Sequence, residues 1–446
     1  MSDYDFSVVH PKSAAVDLGS QTHFVAAYPG SCENRVRSFG CFTCDLREMA
    51  LWLTGLGVTH VVMEATGSYW FQVAQTLQEH GMVVDVVDPR SLSRLPARKK
   101  TDHIDSLWLQ KMYACGLLSS CFVPSAQTMP LRAYHRRRDS LIQDCSQQIQ
   151  MMQKELTMMN IQIHHVLSDI TGKTGMSILR AIVAGERDPQ VLAAMRDRRV
   201  KATLEEVTKA LEGTWAPQHL FCLKQSLSLY DAHCKALADV DEQIALELAL
   251  LAGSRQEPAP VLNAKKNEPK FELGGYLKDL LGCDATKLEG LDVLTILTLV
   301  SEFGTDLSRF PTKKHFTSFQ GLCPNNKKTG GKVRSRRSAP VTSASALALR
   351  LAAQSLCRSK TYLGAFLRSV AARRGMPKAI TATARKIAER YYMLVTQGGE
   401  YTVRSVEDYE KVHADRRLER IKKTAAELGY ALVDLPQKNP EIAVVS

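Results

Sequence analysis

The amino-acid sequence predicts an α/β domain with a partly parallel sheet, then an α-helical coiled-coil middle, then a mainly α C-terminal domain. Three observations carry this. In the first quarter, the apolar run THVVMEATG, the amphipathic stretch SYWFQVAQTLQEHG and the apolar run MVVDVVDP follow one another. Strand, helix and strand in such close succession argue for parallel pairing. In the middle, Ile142, Cys145, Ile149, Met152, Leu156, Met159, Ile163 and Val166 fall three and four apart, the spacing of a heptad seam. Beyond a proline-bearing stretch, KLEGLDVLTILTLVSEFGTDLSRF reads as helix, turn and helix around Gly290.

Taken in order, residues 12–27 read as a strand, a turn at Gly19 and a second strand, and residues 36–42 as a third. The run ending near Glu64 is a buried strand, and the helix after it closes at Gly81, a suitable C-cap. The next strand stops at Pro89. Thr101 then caps a helix that opens with Asp102 and Asp105. This first domain covers residues 1–124. Residues 125–256 form the helical coiled-coil region, which serves either an intramolecular bundle or pairing with a second protomer. TGKTG at 171–175 breaks the seam and lacks the GxxxxGK[ST] spacing of a phosphate loop. Pro258, Pro260 and Pro269 mark a linker at 257–270. Residues 271–400 hold a basic, glycine-bearing loop between helical stretches, and 401–446 form a charged helical tail.

Hydrophobic residues at 45% and charged residues at 23% are ordinary for a globular protein. The longest apolar run, near residues 291–300, is broken by Asp292 and two threonines and is too short to span a bilayer. The N-terminal residues lack the pattern of a signal peptide, so the expected location is the cytoplasm. Of eleven cysteines, Cys41 and Cys44 form one CxxC with no second pair to complete a zinc site. The rest read as buried or free thiols. The net charge is +12, and the excess clusters at Arg94, Arg98, Lys99 and Lys100, at Arg132, Arg136, Arg137 and Arg138, and at Lys327, Lys328, Lys332, Arg334, Arg336 and Arg337. Such clusters fit a nucleic-acid partner; solvated helix faces are the plain alternative.

The chemistry lies in four acids. Asp17 and Glu64 sit in apolar strands, where a carboxylate needs a partner. Asp102 and Asp105 lie three apart at a helix start and point from one face. Their charge also suits the helix dipole, so a capping role is the plain alternative for one of them. Hard oxygen ligands of this kind suit Mg²⁺, with Mn²⁺ as the alternative, and two-metal phosphodiester chemistry. Asp85 and Asp88, on the neighbouring strand, are rival ligands.

The segments AVDLGSQTH, MEATGSYW, DPRSLSRLPARKKTDHIDSLWL, GLCPNNKKTGGKV and LRLAAQSL resemble, in the same order, those of the DEDD transposases of bacterial insertion sequences. That family is related to Piv-type DNA invertases and has been described as bridge-RNA-guided recombinases. The resemblance implies a RuvC-like N-terminal domain of RNase H fold with Asp17, Glu64, Asp102 and Asp105 as metal ligands. It also implies a C-terminal transposase domain with a helix-hairpin-helix and a nucleophilic serine. Here the matching residue is Thr329, before Gly330 and Gly331, with Ser335 and Ser338 as other hydroxyls of the loop. A threonine oxygen serves as a nucleophile when assisted, although its methyl crowds the approach.

By this resemblance the partners are double-stranded DNA at the element ends and target, a guide RNA, and further copies of the chain in a dimer or tetramer. Arg98, Lys99, Lys100, Arg136, Arg137, Arg138, Lys327, Lys328, Lys332, Arg334, Arg336 and Arg337 are the expected nucleic-acid contacts. Two other functions remain open on the residues alone: a RuvC-like nuclease using water, and a nucleic-acid-binding relative that no longer exchanges strands.

Overall fold

The computed structural model describes residues 7–65, 67–89, 101–253, 267–324, 327–330, 332–335, 338, 343–398 and 406–433. The chain divides into two compact units, residues 1–123 and 124–446.

In the first unit, strands β1 (Ser13–Leu18), β2 (Thr22–Ala26), β3 (Val36–Gly40), β4 (His60–Glu64) and β5 (Val83–Val87) form one sheet in the order β3-β2-β1-β4-β5. The first three are mutually antiparallel, while β4 runs parallel to β1 and β5 parallel to β4. This mixed sheet with flanking helices is RNase H-like. Gly19 makes the β1–β2 turn, where a Cβ would lie 2.3 Å from the Thr22 carbonyl oxygen. Helices α1 (Thr43–Gly55) and α2 (Tyr69–Glu79) cover one sheet face, packing on Val16, Leu18, Val61 and Met63. Helix α3 (Asp102–Ala114) covers the other through Leu109 and Tyr113, against Ala15, Val62 and Val87. Burial on both faces explains why β1 and β4 read as unbroken apolar runs. The outer edge of β5 is met by Cys121, whose N–H donates to the Val86 carbonyl at 2.6 Å.

The second unit is mainly helical. Helices α4 (Met129–Met158) and α8 (Pro217–Leu251) pack side by side. Glu155 meets His219, Cys145 meets Cys234 and Arg138 meets Asp241, so the two helices run antiparallel. The heptad seam therefore faces a helix of its own chain. It is also shorter than the spacing suggests. Asn160 adopts φ 58°, which ends the helix, and Ile163 belongs to a short 3-10 turn (Ile163–His165) that folds back into the core. Three short helices, α5 (Lys173–Ala184), α6 (Pro189–Ala194) and α7 (Leu204–Ala210), lie between the long ones in sequence and share that core. TGKTG is the start of α5, with Gly172 as its N-cap residue.

Arg138 is 1% exposed, and its guanidinium bonds Asp241 at 2.5 Å and the Asn267 carbonyl at 2.7 Å. Breaking such a pair strands a buried charge. Arg138→Ala is expected to destabilise the protein by about 3 kcal/mol, and Arg138→Met with Asp241→Leu to recover most of it. Thermal and urea unfolding check both.

The remaining elements are α9 (Leu273–Leu281), α10 (Val293–Phe303), α11 (Lys313–Phe319), the hairpin β6 (Lys327–Thr329) and β7 (Lys332–Ser335), α12 (Ala344–Ser355), α13 (Tyr362–Arg374), α14 (Met376–Gln397) and α15 (Val406–Glu427). Between α9 and α10, a 3-10 turn, Ala285–Lys287, lies just before Gly290. Gly290 has φ 87°, and a Cβ there would lie 2.8 Å from the Ala352 carbonyl oxygen. The turn packs on α12, with Leu288 and Leu291 buried, while Thr286 and Lys287 are exposed. The expected linker lies largely outside the described residues. No described helix is long and apolar enough to cross a membrane.

Candidate active site

The sheet register brings the first two acids together. Val16 of β1 pairs with Met63 of β4, and one step further along the same parallel ladder Asp17 stands beside Glu64. Both lie at the C-terminal ends of adjacent strands. Alternation puts Asp17 on the face of Ala15 and Glu64 on the face of Val62, which is the face that α3 covers. Both are half-buried.

The direction of α3 brings the other two acids to the same end. Gln110 Nε2 donates to the carbonyl and hydroxyl oxygens of Ser13, each at 3.3 Å, which ties the C-terminal part of α3 to the start of β1. Eight residues back along the helix is about 12 Å, and four residues forward along the strand is about 13 Å. Asp102 is thus level with Asp17. Asp102 and Asp105 also continue the stripe of Ser106, Leu109, Gln110 and Tyr113 that faces the sheet. The Thr101 hydroxyl accepts from the Ile104 N–H at 3.3 Å, which starts the helix at this point.

The four acids therefore share one sheet end and one face. Among the described residues, no three histidine, cysteine, aspartate or glutamate side chains form a group able to hold a metal ion. Strand register and the direction of α3 set the four acids toward one end of the sheet, and together they offer an all-oxygen donor set. That donor chemistry fits a hard divalent cation.

Asp85 is differently engaged. It accepts a hydrogen bond of 2.6 Å from the Tyr113 hydroxyl. Burial and the neighbouring Asp85 charge push that hydroxyl well above the usual tyrosine range, so it stays a donor. Asp88 follows β5 and is exposed. Tyr113→Phe is expected to cost about 1.5–3 kcal/mol of stability, the worth of a hydrogen bond to a charged group, and to leave DNA cleavage intact. Loss of metal-dependent cleavage in a folded variant would move Asp85 into the ligand set.

Thr329 is exposed at the tip of the β6–β7 hairpin, paired with Lys332 across a two-residue turn in which Gly330 has φ 55°. Positive φ at the first turn residue suits glycine and the twist of a tight hairpin. Lys332 and Arg334 are exposed, Ser335 is half-buried, and Ser338 bridges to Pro324 at the hairpin base. Arg98, Lys99, Lys100, Arg336 and Arg337 lie outside the described residues, as do the side chains of Lys327 and Lys328.

The second basic cluster is a partial correction. Arg138 is the buried structural residue described above, because its charge is consumed by Asp241. Arg136 binds Glu302 through two bonds of 2.9 and 3.1 Å, and Arg132 reaches the same carboxylate at 3.0 Å. Burial pushes the Glu302 carboxyl up, but the hydrogen bonds and charges of Arg136 and Arg132 outweigh it and hold the group below the usual range. Arg137 is exposed. Nothing near Arg136 in the sequence signals this acid, which is 166 residues away.

Residues 14–161 match a family model described as Transposase (DEDD_Tnp_IS110), and residues 285–367 match one described as Transposase IS116/IS110/IS902 family. The first match contains all four acids and the second contains Thr329. A search of curated proteins finds none that matches the chain.

Proposed function

Because this chain belongs to the IS110 family of transposases, DNA phosphoryl-transfer enzymes with a divalent-metal site, we propose that it cuts and rejoins DNA through a covalent threonyl–DNA intermediate. The observation that carries this reading is the strand register. The pairing of Val16 with Met63 supports Asp17 and Glu64 as neighbours, at the end of the sheet toward which α3 begins with Asp102 and Asp105.

These four carboxylates would hold the cation, for which Mg²⁺ is the natural ion and Mn²⁺ a substitute. Bound there, the cation would supply charge stabilisation to a scissile phosphate. The Thr329 hydroxyl gives up its proton as Oγ1 forms a bond to phosphorus. The scissile phosphorus–oxygen bond to deoxyribose breaks, and the leaving sugar oxygen takes up a proton. Rejoining runs the same steps backwards on a new sugar hydroxyl, so no bond energy is lost to water. The exposed hairpin tip supports access of DNA to Thr329, and Lys332 and Arg334 beside it suit phosphate contacts. Guidance by an element-encoded RNA, and assembly into a dimer or tetramer, rest on the family resemblance.

The experiment is incubation of the full chain with labelled element-end DNA, the flanking noncoding RNA and Mg²⁺, followed by denaturing electrophoresis. A protein–DNA adduct that survives denaturation, mapped to Thr329 by mass spectrometry, is the expected result. Cleavage without any adduct would replace this reading with a nuclease that uses water.

A further inference from the structure

Residues 343–398 contain ten lysines and arginines and a single acid, Glu389. This one-eighth of the chain carries +9 of a total of +12. All 56 residues are described. Some of the charge is used internally: Arg390 pairs with Glu289, and Arg385 with Glu389 at 2.9 Å. Arg368 donates to the carbonyls of Cys357 and Ser359 at 3.2 and 2.7 Å, which ties the loop before α13 to the helix. Of the other seven, Arg350 and Lys386 are half-buried, Arg358 and Lys360 are exposed at one end of α13, and Arg373, Arg374 and Lys378 are exposed at the corner where α13 meets α14. Among the described residues none of the five exposed ones has an acidic partner within ion-pair distance. Holding five like charges on one short flank costs repulsion that a bound polyanion relieves.

We propose that this flank grips the phosphodiester backbone of duplex DNA, outside the hydroxyl hairpin and the carboxylate site. The proposal deepens the transposase reading and rests on it for the class of partner. Two features favour a duplex over single-stranded nucleic acid. The basic ends of α13 are about 20 Å apart along the 13-residue helix, a length equal to about six base pairs at ~3.4 Å each. Single-strand binders present exposed aromatic rings for stacking. Here Tyr362 and Tyr391 are buried, Phe366 is half-buried under Lys386, and Tyr392 is half-buried with its hydroxyl on the Phe310 carbonyl.

The test uses the full chain, a duplex of about 30 base pairs of arbitrary sequence, a folded RNA hairpin, and EDTA to suppress cleavage. One variant combines Arg373→Gln, Arg374→Gln and Lys378→Gln. A control removes three exposed lysines of the middle region through Lys201→Gln, Lys209→Gln and Lys224→Gln. All six replaced side chains are exposed, and unfolding midpoints confirm that each variant folds. The first variant should bind duplex about tenfold more weakly near 0.1 M salt, with a log–log salt slope shallower by about 2.7. The control should retain the wild-type slope. Equal shifts in both variants, a wild-type slope in the first, or a loss confined to the RNA hairpin would each overturn the proposal. If the unsubstituted chain binds no duplex at any salt concentration, the transposase reading itself fails.

Discussion

Asp102→Asn should lower metal-dependent DNA cleavage by on the order of 10³-fold or more, while duplex affinity stays within about twofold of wild type. The two outcomes separate because the proposed mechanism gives Asp102 a ligand role and no phosphate contact. The substitution suits the test because Asp102 is exposed at the start of α3. Neutralising it loses a favourable interaction with the helix N-terminus and relieves repulsion with Asp105 one turn on, two small effects of opposite sign. Unfolding midpoints should therefore match, and a folded, inactive, DNA-binding variant would assign the loss to the site. Normal cleavage by this variant would remove Asp102 from the metal set. Asp17→Asn should be as severe, but Asp17 is half-buried within the sheet and needs the same stability control more urgently.

Thr329→Ala should abolish the covalent adduct, and Thr329→Ser should retain or raise it. Both follow from one atom. Alanine removes Oγ1, so no bond to phosphorus can form. Serine keeps the oxygen and removes the methyl that restricts its rotamers and crowds an in-line approach. Because Thr329 is exposed at a hairpin tip, neither change should alter folding. Denaturing electrophoresis with labelled DNA reads the adduct, and peptide mapping names the residue. An adduct persisting in Thr329→Ala would pass the role to Ser335 or Ser338. Cleavage persisting without an adduct would assign the attack to water.

Much of the first unit was legible because its signals are local. Apolar runs with one strand-length period, Gly19 and Gly81 at turns, and Thr101 before two acids are statements about neighbouring residues. They predict the strands and the start of α3 correctly. The helical seam in the middle was legible for the same reason, although its end was not. A residue such as Asn160 adopts positive φ only where packing rewards the chain for folding back there. The turn at Gly290 was legible in part. Its glycine reads as a turn residue, and the close approach to the Ala352 carbonyl that also requires it comes from a distant helix.

By itself, then, the sequence determined the α/β and helical classes, the four candidate acids and the hydroxyl before two glycines, because each is written in residues within a few positions of one another. The tertiary structure decided the pairings. It put Asp17 beside Glu64 by register and turned α3 so that Asp102 reaches the same end. It gave Asp85 to Tyr113, and it buried Arg138 on Asp241, 103 residues away. Such partners depend on chain topology, and a charge that looks free in sequence is free only when no distant element folds onto it.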